Sequence, residues 1–147
     1  MAYPYEAPVA FSFEVRIPGF SNEGECSFRD VGGLSVKMDL ETVIEGGVND
    51  YEHKLPKRAQ YNPLVLKRGI LRGSQFTAWI NDAIRNFNFK PKQIYISLID
   101  EQRAPTIRWR VENAYPVGIE MSEFKAEENA LAIETLTIAY DYFVRME

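Results

Sequence analysis

The sequence predicts a mainly β (α+β) fold, an antiparallel β-sandwich or barrel with one flanking amphipathic helix and a long interdomain-contact loop. Three observations carry this. Several segments alternate apolar and polar residues with a period of two, one stretch has helical period, and one long segment has neither. A chain of 147 residues suits a single domain, 1–147, large enough to bury a sizeable core.

The first strand is expected over Phe11–Ile17. Phe11, Phe13, Val15 and Ile17 share one face and Ser12, Glu14 and Arg16 the other, the pattern of a strand with one buried side. Pro18-Gly19 ends it, because proline lacks the amide donor and glycine permits a turn. The same alternation returns over Leu34–Glu41: Leu34, Val36, Met38 and Leu40 oppose Ser35, Lys37, Asp39 and Glu41. Gly32-Gly33 just before it suits a bulge or a tight approach.

Leu64–Leu66 and Gln93–Ile99 read as shorter strands, and Ile107–Glu112 sets Ile107, Trp109 and Val111 against Arg108, Arg110 and Glu112. The polar connection Asp100–Pro105 reads as a hairpin loop. From Ala130 to Arg145 the inward parity changes between Ile133 and Leu136, which predicts a bulge near Glu134 or Thr135. Beyond it Leu136, Ile138, Tyr140, Tyr142 and Val144 alternate. The one helix is carried by Phe76, Trp79, Ile80, Ala83, Ile84 and Phe87, a single apolar stripe. Gly73-Ser74 offers its N-cap and Pro91 closes the region.

Residues 45–62 keep neither period. Loops beyond about 12–15 residues are uncommon in compact domains and are usually functional or disordered. Tyr51, Leu55 and Tyr61 make this one unlike a plain linker. Two readings stand side by side: a surface loop packed on its own domain, or an assembly arm. Folded back as two strands, the arm would reach roughly 25–30 Å, far enough to lie across a neighbour.

Composition excludes several classes. With 46% hydrophobic and 26% charged residues the chain is neither disordered nor a disulfide scaffold. Its net charge of −4 comes without a clustered basic face, so no specific nucleic-acid binding is predicted. No run reaches the roughly 18 apolar residues of a membrane span, so no membrane binding is predicted either. The start, Met1 to Glu6, has no secretory pattern. Cys26 is the single cysteine and His53 the single histidine, so neither a zinc site nor a Ser/His/Asp triad with a Gly-x-Ser-x-Gly elbow can be assembled. The adjacent acids Asp100-Glu101 and Glu127-Glu128 read as solvated turns, and Gly69–Gly73 lacks the Gly-Lys-Ser/Thr ending of a phosphate loop. Catalytic, metal and cofactor sites are all expected to be absent. Most aromatics fall on inward positions, whereas Tyr3, Tyr5, Tyr51 and Tyr61 do not and suit an interface.

Short blocks stand in order along the segment and its flanks: Val31-Gly32-Gly33-Leu34, Glu45-Gly46-Gly47-Val48-Asn49, His53-Lys54-Leu55-Pro56, Leu66-Lys67-Arg68-Gly69 and Trp79. Leu98-Ile99-Asp100-Glu101 follows with Pro105 and Trp109, then Asn113-Ala114-Tyr115-Pro116-Val117 and the block from Asn129 to Leu136. Together these blocks resemble a known family, the tail tube proteins of contractile phages and of related extracellular injection systems. Tyr140-Asp141-Tyr142-Phe143, and Glu120–Phe124 without a Gly-Pro, depart from the pattern, which leaves open a repeating tube subunit or a tube-initiating ring at the baseplate.

The resemblance implies a non-enzymatic subunit that forms six-membered rings stacked into a hollow tube inside a sheath. The implied partners are copies of itself, a sheath protein, baseplate and terminator or cap proteins, and cargo in the lumen. Assembly is expected in the bacterial cytoplasm, as part of a phage tail or a tail-like particle that can be released. The expected subunit interface is Glu45, Gly46, Gly47, Asn49, Tyr51, His53, Lys54, Leu55, Pro56 and Tyr61. The expected lumen-facing residues are Ser12, Glu14, Arg16, Ser35, Lys37, Asp39 and Glu41. From a different class, a small soluble ligand-binding β-module is the alternative.

Overall fold

The computed structural model describes residues 12–20, 27–44, 46–47, 51–69, 75–122 and 132–146. The expectations for Tyr3, Tyr5, Phe11, Cys26, Glu45, Asn49, the Gly73-Ser74 cap and Glu127-Glu128 fall outside them. Among the described residues ten strands and one helix follow in chain order: β1 Ser12–Arg16, β2 Ser27–Phe28, β3 Asp30–Gly32, β4 Val36–Val43, β5 His53–Tyr61, β6 Leu64–Gly69, α1 Gln75–Asn86, β7 Lys92–Ile99, β8 Pro105–Met121, β9 Ile133–Ala139 and β10 Tyr142–Arg145.

Eight strands form the body in the order β2-β1-β7-β8-β9-β6-β3, with β10 on β8 as well, and β4 and β5 form a separate pair. Every pairing is antiparallel. The 17-residue β8 holds the body together because it serves two sheets. Its first half lies between β7 and β10, and its second half pairs with β9. The change of sheet happens where β8 carries extra residues. The register slips around Asn113, which takes φ +52°, and again between Pro116 and Gly118. Bulges bend and twist a strand, and that lets one strand turn the corner between two layers.

Inward side chains from both layers meet in one core that includes Val15, Ile17, Phe28, Leu64, Leu66, Ile94, Ile96, Val111, Leu136 and Ile138. The helix closes it with Phe76, Trp79, Ile80 and Ala83, and the Trp79 indole N–H donates to the Lys90 carbonyl at 3.0 Å. Ile84 and Phe87 belong to the predicted stripe, yet they are exposed. Helical phase ends at Asn86, so Phe87 leaves the stripe with the turn that follows. The predicted hairpin at Asp100 is present: its carboxylate accepts from the Gln102 and Ala104 amides at 3.0 and 2.8 Å.

Two expectations at the C-terminus are corrected. There is no bulge at Glu134 or Thr135, because β9 pairs with β6 in unbroken register from Leu64↔Ile138 to Gly69↔Ile133. The parity never changes: Glu134 itself points inward, 1% exposed, and Ile133 is half-buried on the other side. A buried carboxylate is tolerable when paired, and Arg68, opposite it in register, donates from Nε at 2.7 Å. The Arg68 guanidinium also sits 4.9 Å from the Phe28 ring centre and 5.1 Å from that of Phe76. The second correction concerns Tyr140–Val144. The strand stops at Ala139, the chain turns at Tyr140-Asp141, and β10 resumes on the far edge of β8 with Phe143 facing inward and Tyr142 and Val144 outward.

Glu134→Ala should therefore lower the unfolding free energy by about 3–5 kcal/mol in chemical denaturation, because it removes the carboxylate that offsets a buried guanidinium charge. Replacing the pair together, Arg68→Met with Glu134→Leu, should cost far less or stabilise.

Candidate functional site

The long segment and the strand before it form one hairpin. β4 and β5 pair from Val36↔Tyr61 to Val43↔His53, and among the described residues neither makes more than marginal contact with any other element. Residues 45–62 were expected to form the arm; the ribbon instead includes all of β4, eight residues that read as a strand of the body. Its reach is roughly 25 Å at about 3.3 Å per residue. The nine-residue β5 escaped the sequence reading because its period is broken. Between Met38↔Ala59 and Leu40↔Pro56 the register slips, so that Lys57 and Arg58 together oppose Asp39. Such a bulge shifts the parity within the strand. Pro56 is admissible because β5 has an open edge.

The register sorts the side chains. One face carries Val36, Met38, Leu40 and Thr42 with Tyr61, Ala59, Pro56 and Lys54; the other carries Lys37, Asp39, Glu41 and Val43 with Gln60, Leu55 and His53. The expected interface residues thus divide between the two faces: Lys54, Pro56 and Tyr61 on the first, His53 and Leu55 on the second. Gly46 and Gly47 make the turn at the tip, with Gly47 at φ +95°. Tyr51 packs edge-on to the His53 ring at 5.3 Å.

Val36, Met38 and Leu40 were expected on a buried face. They are 49%, 57% and 56% exposed, because no layer of this chain covers them. Alternation marks an apolar face but not the molecule that covers it.

The ribbon is held at its root. Tyr61 packs against Phe143 at 5.2 Å and Tyr140 at 6.0 Å, both nearly perpendicular. The Tyr140 hydroxyl donates to the Gly33 carbonyl at 3.1 Å, and the Asn62 amide to Ser35 at 3.2 Å. Gly33 takes φ +86°, and a Cβ there would run into the Pro63 carbonyl, so the expected tight approach is real. Ser35 is part of this root: its hydroxyl accepts from the Asn62 side chain.

The other polar strand lies elsewhere. Ser12, Glu14 and Arg16 occupy the outer face of the β1-β7-β8 sheet, where Glu14 opposes Ser97 and Arg16 opposes Tyr95. Ser97 in turn opposes Arg108, and Tyr95 opposes Arg110. Arg108, Arg110 and Glu112 had outward parity in the sequence, yet only the strand order joins them to Glu14. Arg16 pairs with Glu14 at 2.7 Å. Arg110 Nε lies 2.7 Å from Glu112 Oε1 with its N–H directed off the hydrogen-bond axis. A polar recess of about 430 Å³ is lined by Glu14, Arg16, Tyr95, Ser97, Pro105 and Arg108. The two expected lumen-facing sets therefore sit on separate sheets. Among the described residues no group of His, Cys, Asp and Glu is placed to hold a metal.

Burial, with the Tyr61 phenol next, pushes the Tyr140 hydroxyl up to about 12. An unfolded tyrosine ionises near 10, so between about pH 10 and 12 the unfolded state binds fewer protons and stability falls as pH rises. Tyr140→Phe should remove that part of the alkaline decline. It should also cost about 1 kcal/mol at neutral pH by taking a donor from the Gly33 carbonyl, both read from melting curves across pH.

With this geometry in view, the comparisons are specific. A family model described as T4-like virus tail tube protein gp19 matches residues 9–144. A chain in the structure of the anti-feeding prophage baseplate, 6-fold symmetrised, is 25% identical with a TM-score of 0.82, covering 99% of this chain and 97% of that one. A chain in the sheath-tube complex of an extracellular contractile injection system, PVC, in its extended state is 26% identical with a TM-score of 0.78, covering 97% and 93%. Hcp1 from Flavobacterium johnsoniae shares the fold at 15% identity and a TM-score of 0.56, covering 92% and 95%. No curated protein matches the chain by sequence.

Proposed function

This chain belongs to the T4-like virus tail tube protein family, and from that premise we propose that it assembles as six-membered rings stacked into a hollow conduit, with the β4–β5 ribbon as its assembly arm. It is a structural tail tube protein of a contractile, phage-tail-like particle and not an enzyme. The observation that carries the arm is a two-stranded ribbon standing off its own body with an apolar face open to water.

A lone two-stranded hairpin is marginal in water, and each open edge presents unpaired amides and carbonyls. Docking on another copy satisfies both needs. Burying what remains exposed of Val36, Met38 and Leu40 contributes roughly 3 kcal/mol per arm. Repeated around a ring and along a stack, that contact accounts for a stiff tube. The interface includes Tyr51, His53, Lys54, Leu55, Pro56 and the Gly46-Gly47 tip.

The lumen reading narrows to the outer face of the β1-β7-β8 sheet. Ser12, Glu14 and Arg16 line it with Ser97, Arg108 and Arg110, a hydrated wall of mixed charge suited to passing macromolecules. Lys37, Asp39 and Glu41 form the arm's polar face and stay at water. The tube is surrounded by a sheath and ends at baseplate and terminator or cap proteins, as the names of the related structures suggest. Assembly takes place in the bacterial cytoplasm, before any release of the particle.

A tube-initiating ring is the second reading. It is favoured by the likeness to a chain of a baseplate and by the unusual Tyr140–Phe143 ending. Copy number per particle separates the two: many rings for the tube, one for the initiator.

Replacing residues 37–60 by a short Gly-containing turn should leave a folded monomer, because among the described residues β4 and β5 pair only with each other. Negative-stain microscopy should then show rings or tubes for the full chain and none for the shortened one. An unfolded product, or undiminished tubes, counts against the arm.

A further inference from the structure

A head-to-tail contact requires two different, complementary patches on the same chain. The arm's apolar face is one. The end of α1 supplies the other. Phe87 and Phe89 are 82% and 38% exposed, and Ile84 on the last turns of the helix is 48% exposed. Phe87 meets Phe89 edge-to-face at 4.9 Å, and Phe89 meets Tyr115 on β8 at 5.8 Å.

Phe87 is placed there at a conformational cost. It takes φ +52° just past the last helical residue, a position where glycine is the usual occupant because it has no Cβ to clash. The turn is also pinned. The Asp82 carboxylate accepts from the Asn86 and Asn88 side chains at 2.9 and 2.7 Å, and the Asn88 amide donates to the Asp82 carbonyl at 3.2 Å. A rigid turn that holds a large apolar ring 82% exposed, in a strained conformation, gains little within the monomer beyond its edge contact with Phe89.

We propose that this patch is the seat of a second copy's arm, with Val36, Met38 and Leu40 of one subunit packing on Phe87 and Phe89 of the next. This rests on the tube reading above and names the surface that receives the arm. Two features favour the match. Val36 to Leu40 spans about 13 Å along a strand, comparable to the two ring-to-ring steps of the patch. Methionine packs well on aromatic edges, and Met38 is the central residue of the arm face. Another exposed apolar group, Tyr142, Val144 and Met146, lies on and beside the edge strand β10 and offers backbone pairing instead of a side-chain seat.

The test uses the full chain and two measurements, the melting temperature of the monomer and the critical concentration for assembly. Phe87→Gly removes the ring and the strain together. Its monomer should melt no earlier than wild type, and its critical concentration should rise at least about tenfold. Leu40→Glu and Phe87→Lys should each impair assembly by a similar factor, and the double variant should assemble better than either single one. Assembly unchanged in Phe87→Gly overturns the proposal, including the case where only recruitment of a sheath protein suffers, which would make the sheath the occupant. A double variant no better than the worse single one overturns it as well. A wild-type chain that stays monomeric at every concentration would instead strike at the conduit itself.

Discussion

Everything outside the body depends on one constraint: a β-ribbon of two strands has no third layer. A strand pair acquires stability by adding neighbours or by laying one face on a core, and the described residues provide neither for β4 and β5. The ribbon is anchored where Tyr61 meets Tyr140 and Phe143 and where Gly33 allows the chain to pass under Pro63. Beyond that root its apolar side chains face water. Soluble proteins seldom leave such a stripe open unless something else is meant to cover it. Lys54, Lys57 and Arg58 on β5 limit indiscriminate edge pairing while the arm waits for a partner.

The body has the opposite character. Two sheets share β8, the helix caps one side of their core, and the buried Arg68–Glu134 pair ties β6 to β9 at the end where the helix begins. A body closed in this way can carry a projecting arm without losing its own fold. Rigidity in the body and incompleteness in the arm are complementary requirements for a subunit that polymerises. An enzyme of this size would place its polar groups around a substrate; here they line an open sheet face or hold turns in place, as Asp82 and Asp100 do.

Much of the fold was legible in the sequence, and the failures have physical causes. Strict alternation located β1, β4 and the middle of β8, and the spacing of Phe76, Trp79, Ile80 and Ala83 located the buried side of the helix. Alternation failed at Glu134, since a carboxylate is read as outward and its partner Arg68 lies 66 residues away in the chain. It failed again in β5, where a bulge at Lys57-Arg58 and a proline hide the period. Of the candidate site, the segment was recognised but its partner strand was not, because Val36, Met38 and Leu40 look like core when the layer that covers them is unknown. The patch at Phe87 could not be separated from the helical stripe, as nothing in the spacing marks where the helix stops.

The central claim is that the ribbon is incomplete in one copy and completed by another. Amide hydrogen exchange measured on dilute monomer and on assembled material tests it directly. The account predicts that amides of β4 and β5 exchange in the monomer at least about a hundredfold faster than those of β7 and β8, and become comparably protected on assembly. Equal protection of the ribbon and the body in the monomer would contradict it.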